Sequence, residues 1–302
     1  MPRGPFPMHV DLLAGTVYPP PIMLRRAPTI LVFDSGLGGL TVFSEIVRAR
    51  PDARFIYAAD DAGFPYGRLS EAALVARVEA VVARLIALHA PDLVVVACNT
   101  ASTVVLHALR QRFAVPFVGT VPAIKPAAAL SRSKRISVLA TPGTVAREYT
   151  RDLVATYAAG CRVTLVGAPR LAGLAEAELS GSPAADAHIA AEIAPCFVAD
   201  EGGRTDVVAL GCTHYPLLLP RLRALAPWPV TWLDPAPAIA RRVVQLVGDA
   251  ACDHGHDDEA MAVFPGGAGV TSALRDALSA RGLARVDIEP VPFAAADLAR
   301  SG

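Results

Sequence analysis

From Thr29 onward, short runs of consecutive apolar residues alternate with longer segments whose apolar residues recur at helical spacing. TILVF precedes TVFSEIVRA, RFIYAA precedes EAALVARVEAVVARLIALHA, and DLVVVA precedes TVVLHALRQRF. Strands that are apolar on both faces must be covered on both faces, and a helical connection lets the next strand run parallel to the last. The expected fold class is therefore α/β, with mainly parallel sheets flanked by helices. A second cycle repeats the alternation: RISVLA, TVAREYTRDLVATYA, RVTLVG, a long Ala-rich helix from about Pro183, DVVALG and LLLPRLRAL.

The two cycles correspond at their polar points. ILVFDSGLGG and ISVLATPGT each end a strand in a glycine-containing turn, and VVVACNT is echoed by VVALGCTH at nearly the same separation along the chain. This predicts an internal duplication: two similar lobes related by pseudo-two-fold symmetry, with the strand C-termini of both opening on one shared cleft. The first lobe is expected to hold residues 29–120 and, on the chain's return, 234–302; the second holds 121–233. Residues 1–28, broken by proline, read as an extension outside the fold, with Met23 an alternative start.

The apolar strand VVVA runs directly into Cys98, and Asn99 and Thr100 follow where a helix starts. Ligands of open α/β sheets bind at such strand ends, and a helix N-terminus favours negative charge. A thiol there can have a lowered pKa and act as base or nucleophile. Cys212, followed by Thr213 and His214, has the same setting in the second cycle. Cys161, Cys196 and Cys252 lack it and read as small buried hydrophobes.

One thiol from each lobe suits a reaction that needs an acid and a base on opposite faces of a carbon. Near-attack distances on both sides put the sulfurs roughly 7 Å apart, too far for a disulfide and suited to racemisation. The five cysteines form no CxxC pair, so neither a disulfide framework nor a zinc ribbon is indicated, and a reducing cytoplasm is expected.

Other features narrow the chemistry. DSGLGG lacks the GK[ST] of a P-loop and has Thr41 where the third glycine of a dinucleotide fingerprint belongs. Asp34 is either a cap for the next helix or a proton-handling group beside a thiol, and Ser35 a polar contact for substrate. FPYG, residues 64–67, reads first as a proline-led turn. His214 is placed to tune Cys212. The run from Cys252 to Glu259 has metal-like composition but reads as a solvated loop, so no metal is expected. Only Lys125 and Lys134 could form a Schiff base, which disfavours a pyridoxal enzyme. With a formal net charge of zero and no apolar run of membrane-spanning length, neither nucleic acid nor membrane is an expected partner.

FDSGLGGLTV, PYG, CNTAS, TPGT and GCTHYPLL, in that order, resemble glutamate racemase, over roughly Thr29 to Arg242. The resemblance implies a two-lobed, cofactor-independent enzyme that interconverts L- and D-glutamate and supplies D-glutamate for peptidoglycan, with a homodimer left open. It implies that Cys212 takes the α-proton of L-glutamate and Cys98 that of D-glutamate, with Asp34 and His214 assisting. Ser35, Tyr66, Gly67, Asn99, Thr100, Thr141, Thr144 and Thr213 are then the groups that hold substrate, together with Asp34 and His214. Glu176 matches the family's acidic residue, although Ala168 and Gly173 stand where cysteine and proline are usual, and Asp61 and Leu69 replace a commoner threonine and lysine. The competing readings are a racemase for another amino acid such as aspartate, a non-catalytic amino-acid-binding module, and a thiol oxidoreductase cycling a Cys98–Cys212 disulfide.

Overall fold

The computed structural model describes residues 9–11, 16–18, 26–249, 260–267 and 269–290. Within residues 1–28 it has an antiparallel hairpin of β1 (His9–Asp11) and β2 (Thr16–Tyr18). The chain is anchored from Arg26, which pairs with Asp92, whose carboxylate also accepts from the Thr29 amide. The acidic run from Cys252 to Glu259 lies outside the described residues.

Two parallel sheets organise the rest. The larger is built from β3 (Thr29–Asp34), β4 (Arg54–Ala59), β5 (Leu93–Val96), β6 (Phe117–Gly119), β13 (Met261–Phe264) and β14 (Arg285–Ile288), in the order β14-β13-β4-β3-β5-β6. The smaller contains β7 (Arg135–Ala140), β8 (Arg162–Gly167), β11 (Val207–Gly211) and β12 (Thr231–Leu233), in the order β12-β11-β7-β8. Every pairing within these sheets is parallel. A short antiparallel pair, β9 (Ala199–Asp200) and β10 (Gly203–Arg204), stands apart.

Helices connect the strands. Along the first sheet run α1 (Leu40–Ala49), α2 (Glu71–His89) and α3 (Asn99–Arg112); α4 (Ile124–Leu130) leads into the second. There follow α5 (Pro142–Ala146), α6 (Glu148–Tyr157), α7 (Leu171–Leu179), α8 (Asp186–Ile193) and α9 (Leu219–Leu225). Then α10 (Ala236–Val247) packs back on α1, and α11 (Ser272–Ser279) separates β13 from β14. The single long helix expected from Pro183 is only the eight residues of α8, because Pro195 ends it in a 3-10 turn at Ala194–Cys196.

Burial explains the continuous apolar runs. Leu93–Val96 are completely buried, covered on one face by the α1 and α10 side of the core and on the other by α2 and α3. Complete burial of each such aliphatic side chain contributes about 1.5–3 kcal/mol. In α3, Ala101, Val105 and Leu109 recur every four residues and bury one face.

The topology fixes where a site can lie. In the larger sheet the chain leaves β3 for β4 on one side and crosses to β5 on the other; in the smaller it leaves β7 for β8 and crosses to β11. Each is a topological switch point, where a crevice opens at the strand C-termini. The segments β4-β3-β5-β6 and β8-β7-β11-β12 thus share one order, as the duplicated sequence pattern requires. Among the described residues no helix is long and apolar enough to cross a membrane.

Candidate active site

Asp34 and Ser35 end β3, and Cys98 follows β5, so all three stand at the first switch point; Thr141 and Cys212 stand at the second, after β7 and β11. Contacts among these residues and their neighbours join the two sheets.

Cys98 is the N-cap of α3. Its sulfur accepts from the Ala101 amide at 3.4 Å, and its thiol donates to Ser35 Oγ at 3.5 Å. The expectation of a lowered thiol pKa is corrected here: Cys98 is pushed up to about 12. Burial is the main cause and the nearby Asp34 carboxylate the second, and together they outweigh the helix amide and the serine hydroxyl. The charge of Cys212 also raises it, so the two thiols lie within electrostatic reach of each other.

Asp34 does not cap α1, whose N-cap is Gly39 without a side-chain bond; it organises the turn before the helix instead. Its Oδ2 accepts from the amides of Gly36 (3.2 Å) and Gly39 (3.0 Å), which folds the glycine turn around it, while Oδ1 accepts from Thr213 Oγ1 at 3.4 Å. Burial raises its pKa, opposed chiefly by His214 and by those two amides.

The glycine turn then reaches into the second lobe. The Leu37 amide donates to Glu176 Oε1 at 2.8 Å, and the Gly38 amide lies 3.2 Å from His214 Nε2. His214 Nε2 is 2.9 Å from Glu176 Oε1, and its Nδ1 is 3.7 Å from Cys212 Sγ. Burial pulls the His214 pKa down, but the contacts with Cys212 and Glu176 and the charges of Cys212 and Asp34 leave it well above the usual value. The two contacts on Nε2 serve different protonation states: a charged ring donates to Glu176, and a ring bare at Nε2 accepts from Gly38. A Cβ at Gly38 would overlap the His214 ring and backbone, so close approach of the lobes requires glycine there, while one at Gly36 would force Glu176 Oε1 to shift. Phe64 packs on the His214 ring with centroids 5.4 Å apart. Of the two departures near Glu176, Ala168 is buried and its carbonyl accepts from Tyr215, while Gly173 has open space around it.

A second inter-lobe contact is made of hydroxyls. Thr100 Oγ1 lies 3.0 Å from Thr141 Oγ1 and 3.2 Å from Thr144 Oγ1, and the latter two are 3.0 Å apart. Thr141 also caps α5 by accepting from the Thr144 amide. Gly143 faces the backbone of Gly67, and beyond it Arg147 pairs with Glu71. Beside this cluster Asn99 is buried with neither its amide oxygen nor its amide nitrogen partnered, as is the Thr120 hydroxyl. A fully buried amide without partners is costly unless something arrives to meet it.

Tyr66 offers the cleft less than its position promised. Its hydroxyl donates to Asp60 Oδ2 at 2.5 Å, and Arg77 grips the same carboxylate through Nε and Nη2, each at 2.6 Å. The phenol is therefore committed to Asp60. Sequence reasoning missed Asp60, Arg77, the Leu37 and Gly38 amides, and Tyr57, whose hydroxyl donates to the Gly36 carbonyl at 2.7 Å. Arg77 carried a signal: it interrupts the apolar face Leu74, Val78, Val81, Val82 and Leu85 of α2.

The remaining cysteines behave as hydrophobes. Cys196 is buried, its thiol raised to about 12 by burial, and half-buried Cys161 packs on the core beneath β7. Cys252 lies outside the described residues. Among the described residues no cluster of three or more His, Cys, Asp or Glu has the arrangement of a metal site.

Comparison with known proteins gives one answer. The model of the Asp/Glu/hydantoin racemase family matches residues 34–243. A glutamate racemase of Brucella anthropi is 56% identical over 236 residues, covering 77% of this chain and 85% of its own. That of Brucella canis is 54% identical over 249 residues, covering 81% and 90%. Among solved structures, Escherichia coli glutamate racemase in complex with L-glutamate and the activator UDP-MurNAc-Ala superposes with a TM-score of 0.81 at 41% identity, covering 88% of this chain and 100% of that one. A glutamate racemase isoform of Bacillus anthracis follows with a TM-score of 0.71 at 26% identity, covering 89% and 99%.

Proposed function

Because the chain belongs to the Asp/Glu/hydantoin racemase family, we propose that it interconverts L- and D-glutamate by two-thiol acid/base chemistry without a cofactor. The D-glutamate supplies peptidoglycan synthesis in the cytoplasm. Glutamate is the partner, neither nucleic acid nor a membrane is involved, and a homodimer is compatible with the reading. The working unit is two lobes, residues 29–120 with 234–302 and residues 121–233.

The observation that supports this best is the pairing of unlike thiols at equivalent switch points. Cys98 has burial and the Asp34 carboxylate against its ionisation, so near neutral pH it is a thiol, able to give a proton. Cys212 has the His214 ring beside its sulfur, backed by Glu176, an arrangement suited to taking a proton. Cys212 removes the α-proton of L-glutamate while Cys98 protonates the opposite face; D-glutamate reacts with the roles exchanged.

Substrate has two carboxylates and an ammonium. The unpartnered Asn99 amide, the hydroxyls of Ser35, Thr100, Thr141, Thr144 and Thr213, and the backbone at Tyr66 and Gly67 can bind these without placing a cation next to the thiols. The N-termini of α3 and α5 add positive field to the same region.

The test is incubation of the protein with either glutamate enantiomer in heavy water, with nothing added. Deuterium at Cα and appearance of the opposite enantiomer are expected. Glutamate binding without exchange would make the protein a binding module. Faster exchange into aspartate would move the substrate, and a Cys98–Cys212 disulfide that cycles would make it an oxidoreductase.

A further inference from the structure

Thr41 occupies the place at which the DSGLGG segment departs from a dinucleotide-binding turn, and its side chain makes a contact that glycine could not. Its hydroxyl lies 2.9 Å from the Gly38 carbonyl and 3.1 Å from the Thr213 carbonyl of the other lobe. One hydroxyl hydrogen is shared between the two acceptors, so a single side chain ties the glycine turn of the first lobe to the Cys212-Thr213-His214 segment of the second. The segment is gripped from the same side elsewhere. The Gly38 amide reaches His214 Nε2, a Cβ on Gly38 would strike the His214 backbone, and Thr213 Oγ1 bonds Asp34.

We infer that Thr41 is a positioning residue for the Cys212 half of the reaction: its hydrogen bond to the 213–214 peptide sets the orientation of His214 toward Cys212 when the lobes are together. The inference rests on the racemase reading and adds a residue to it. Thr41 touches no thiol and acts through the peptide it holds. That peptide belongs to the second lobe, so the bond joins the two lobes beside Cys212. The alternative is a purely local role, since the Thr41 amide also donates to the Gly38 carbonyl at 3.1 Å in the turn that starts α1.

The two roles separate in a comparison of Thr41→Val, which keeps the shape and deletes the hydroxyl, with Thr41→Ser, which keeps the hydroxyl. Racemisation has an equilibrium constant of one, so kcat/KM falls equally in both directions and cannot assign an effect to one thiol. A 3-chloroglutamate of either configuration at Cα can, because removal of the α-proton followed by loss of chloride from Cβ needs only one base. The valine variant should lose about tenfold in kcat/KM for racemisation, the size expected for losing one buried hydrogen bond. It should eliminate chloride from the L-configured compound more slowly while eliminating from the D-configured one at nearly the wild-type rate. The serine variant should recover both activities to within about threefold.

Equal losses for both configurations, or a serine variant no better than valine, would overturn the positioning role. So would a valine variant with unchanged kinetics. If the valine variant does not fold, Thr41→Ala provides the same comparison. A wild-type protein that neither racemises nor eliminates would remove the racemase reading, whereas an active wild type with an indifferent Thr41 removes only this inference.

Discussion

His214 Nε2 and Glu176 Oε1 lie 2.9 Å apart, and the opposite nitrogen of the same ring is 3.7 Å from the sulfur of Cys212. Cys98 has no equivalent: its near neighbours are the Ser35 hydroxyl and the Asp34 carboxylate. A duplicated fold has thus been given electrostatically unlike thiols.

Glu176→Gln keeps the shape of the pair and removes its charge. A hydrogen bond to a charged group is worth about 1.5–3 kcal/mol, so kcat/KM should fall by at least about tenfold. The variant should also change how stability depends on pH. The folded-state pKa of His214 is raised, so its contribution is complete below the unfolded value of about 6.5 and is lost as pH rises through the folded value. Removing Glu176 takes away one cause of the rise, so less stability should be lost across that window. Urea midpoints measured from pH 6 upward check this, and identical slopes for wild type and variant would refute it.

Cys98 should resist small alkylating reagents near neutral pH, because its thiol is raised to about 12. Asp34→Asn removes the second-largest cause, so the thiolate fraction and the alkylation rate at pH 8 should increase. Mass spectrometry of the Cys98 peptide over a time course measures it. A rate that falls or stays constant would mean that Asp34 does not set the field at this sulfur.

The parallel sheets and both thiols were legible in the sequence because their signals are local: an unbroken apolar strand, a cysteine at its end, polar residues opening a helix. The sign of the Cys98 shift was not. A helix N-terminus can be read from CNTAS, but the depth of burial and the approach of Asp34 from β3 are tertiary facts that outweigh it. Glu176 was legible only by resemblance, since nothing in PRLAGLAEAE shows that it will meet His214 and the Leu37 amide. Thr41 registered only as a missing glycine, because its acceptor lies 172 residues away.

Gly36→Ala tests how closely the lobes must approach. The added Cβ would overlap Glu176 Oε1, with Phe64 packed behind it. The glutamate must therefore swing away or the lobes must part, and in either case the Leu37 and His214 contacts are disturbed. Activity should fall by about tenfold or more, while the unfolding midpoint moves far less than it would for a core cavity. Gly173→Ala, with open space around its site, is the control and should leave activity unchanged. Wild-type activity in Gly36→Ala would show that this contact is dispensable.

The Asp60–Arg77 pair makes the largest stability prediction. Both side chains are almost completely excluded from solvent, and the Tyr66 hydroxyl completes the carboxylate's shell. Arg77→Met fills much of the same volume but leaves a buried carboxylate without its cation, which should cost about 3–5 kcal/mol. Asp60→Asn on that background removes the stranded charge, so the double variant should be more stable than Arg77→Met alone, a coupling that additive losses cannot give. Tyr66→Phe deletes one donor and should cost about 1–3 kcal/mol. Because Tyr66 and Gly67 share the segment that this carboxylate holds, the variants that fold should also show a raised KM for glutamate. Urea unfolding together with steady-state kinetics separates the two effects. A double variant less stable than Arg77→Met would show that the ion pair itself is not what fixes this turn.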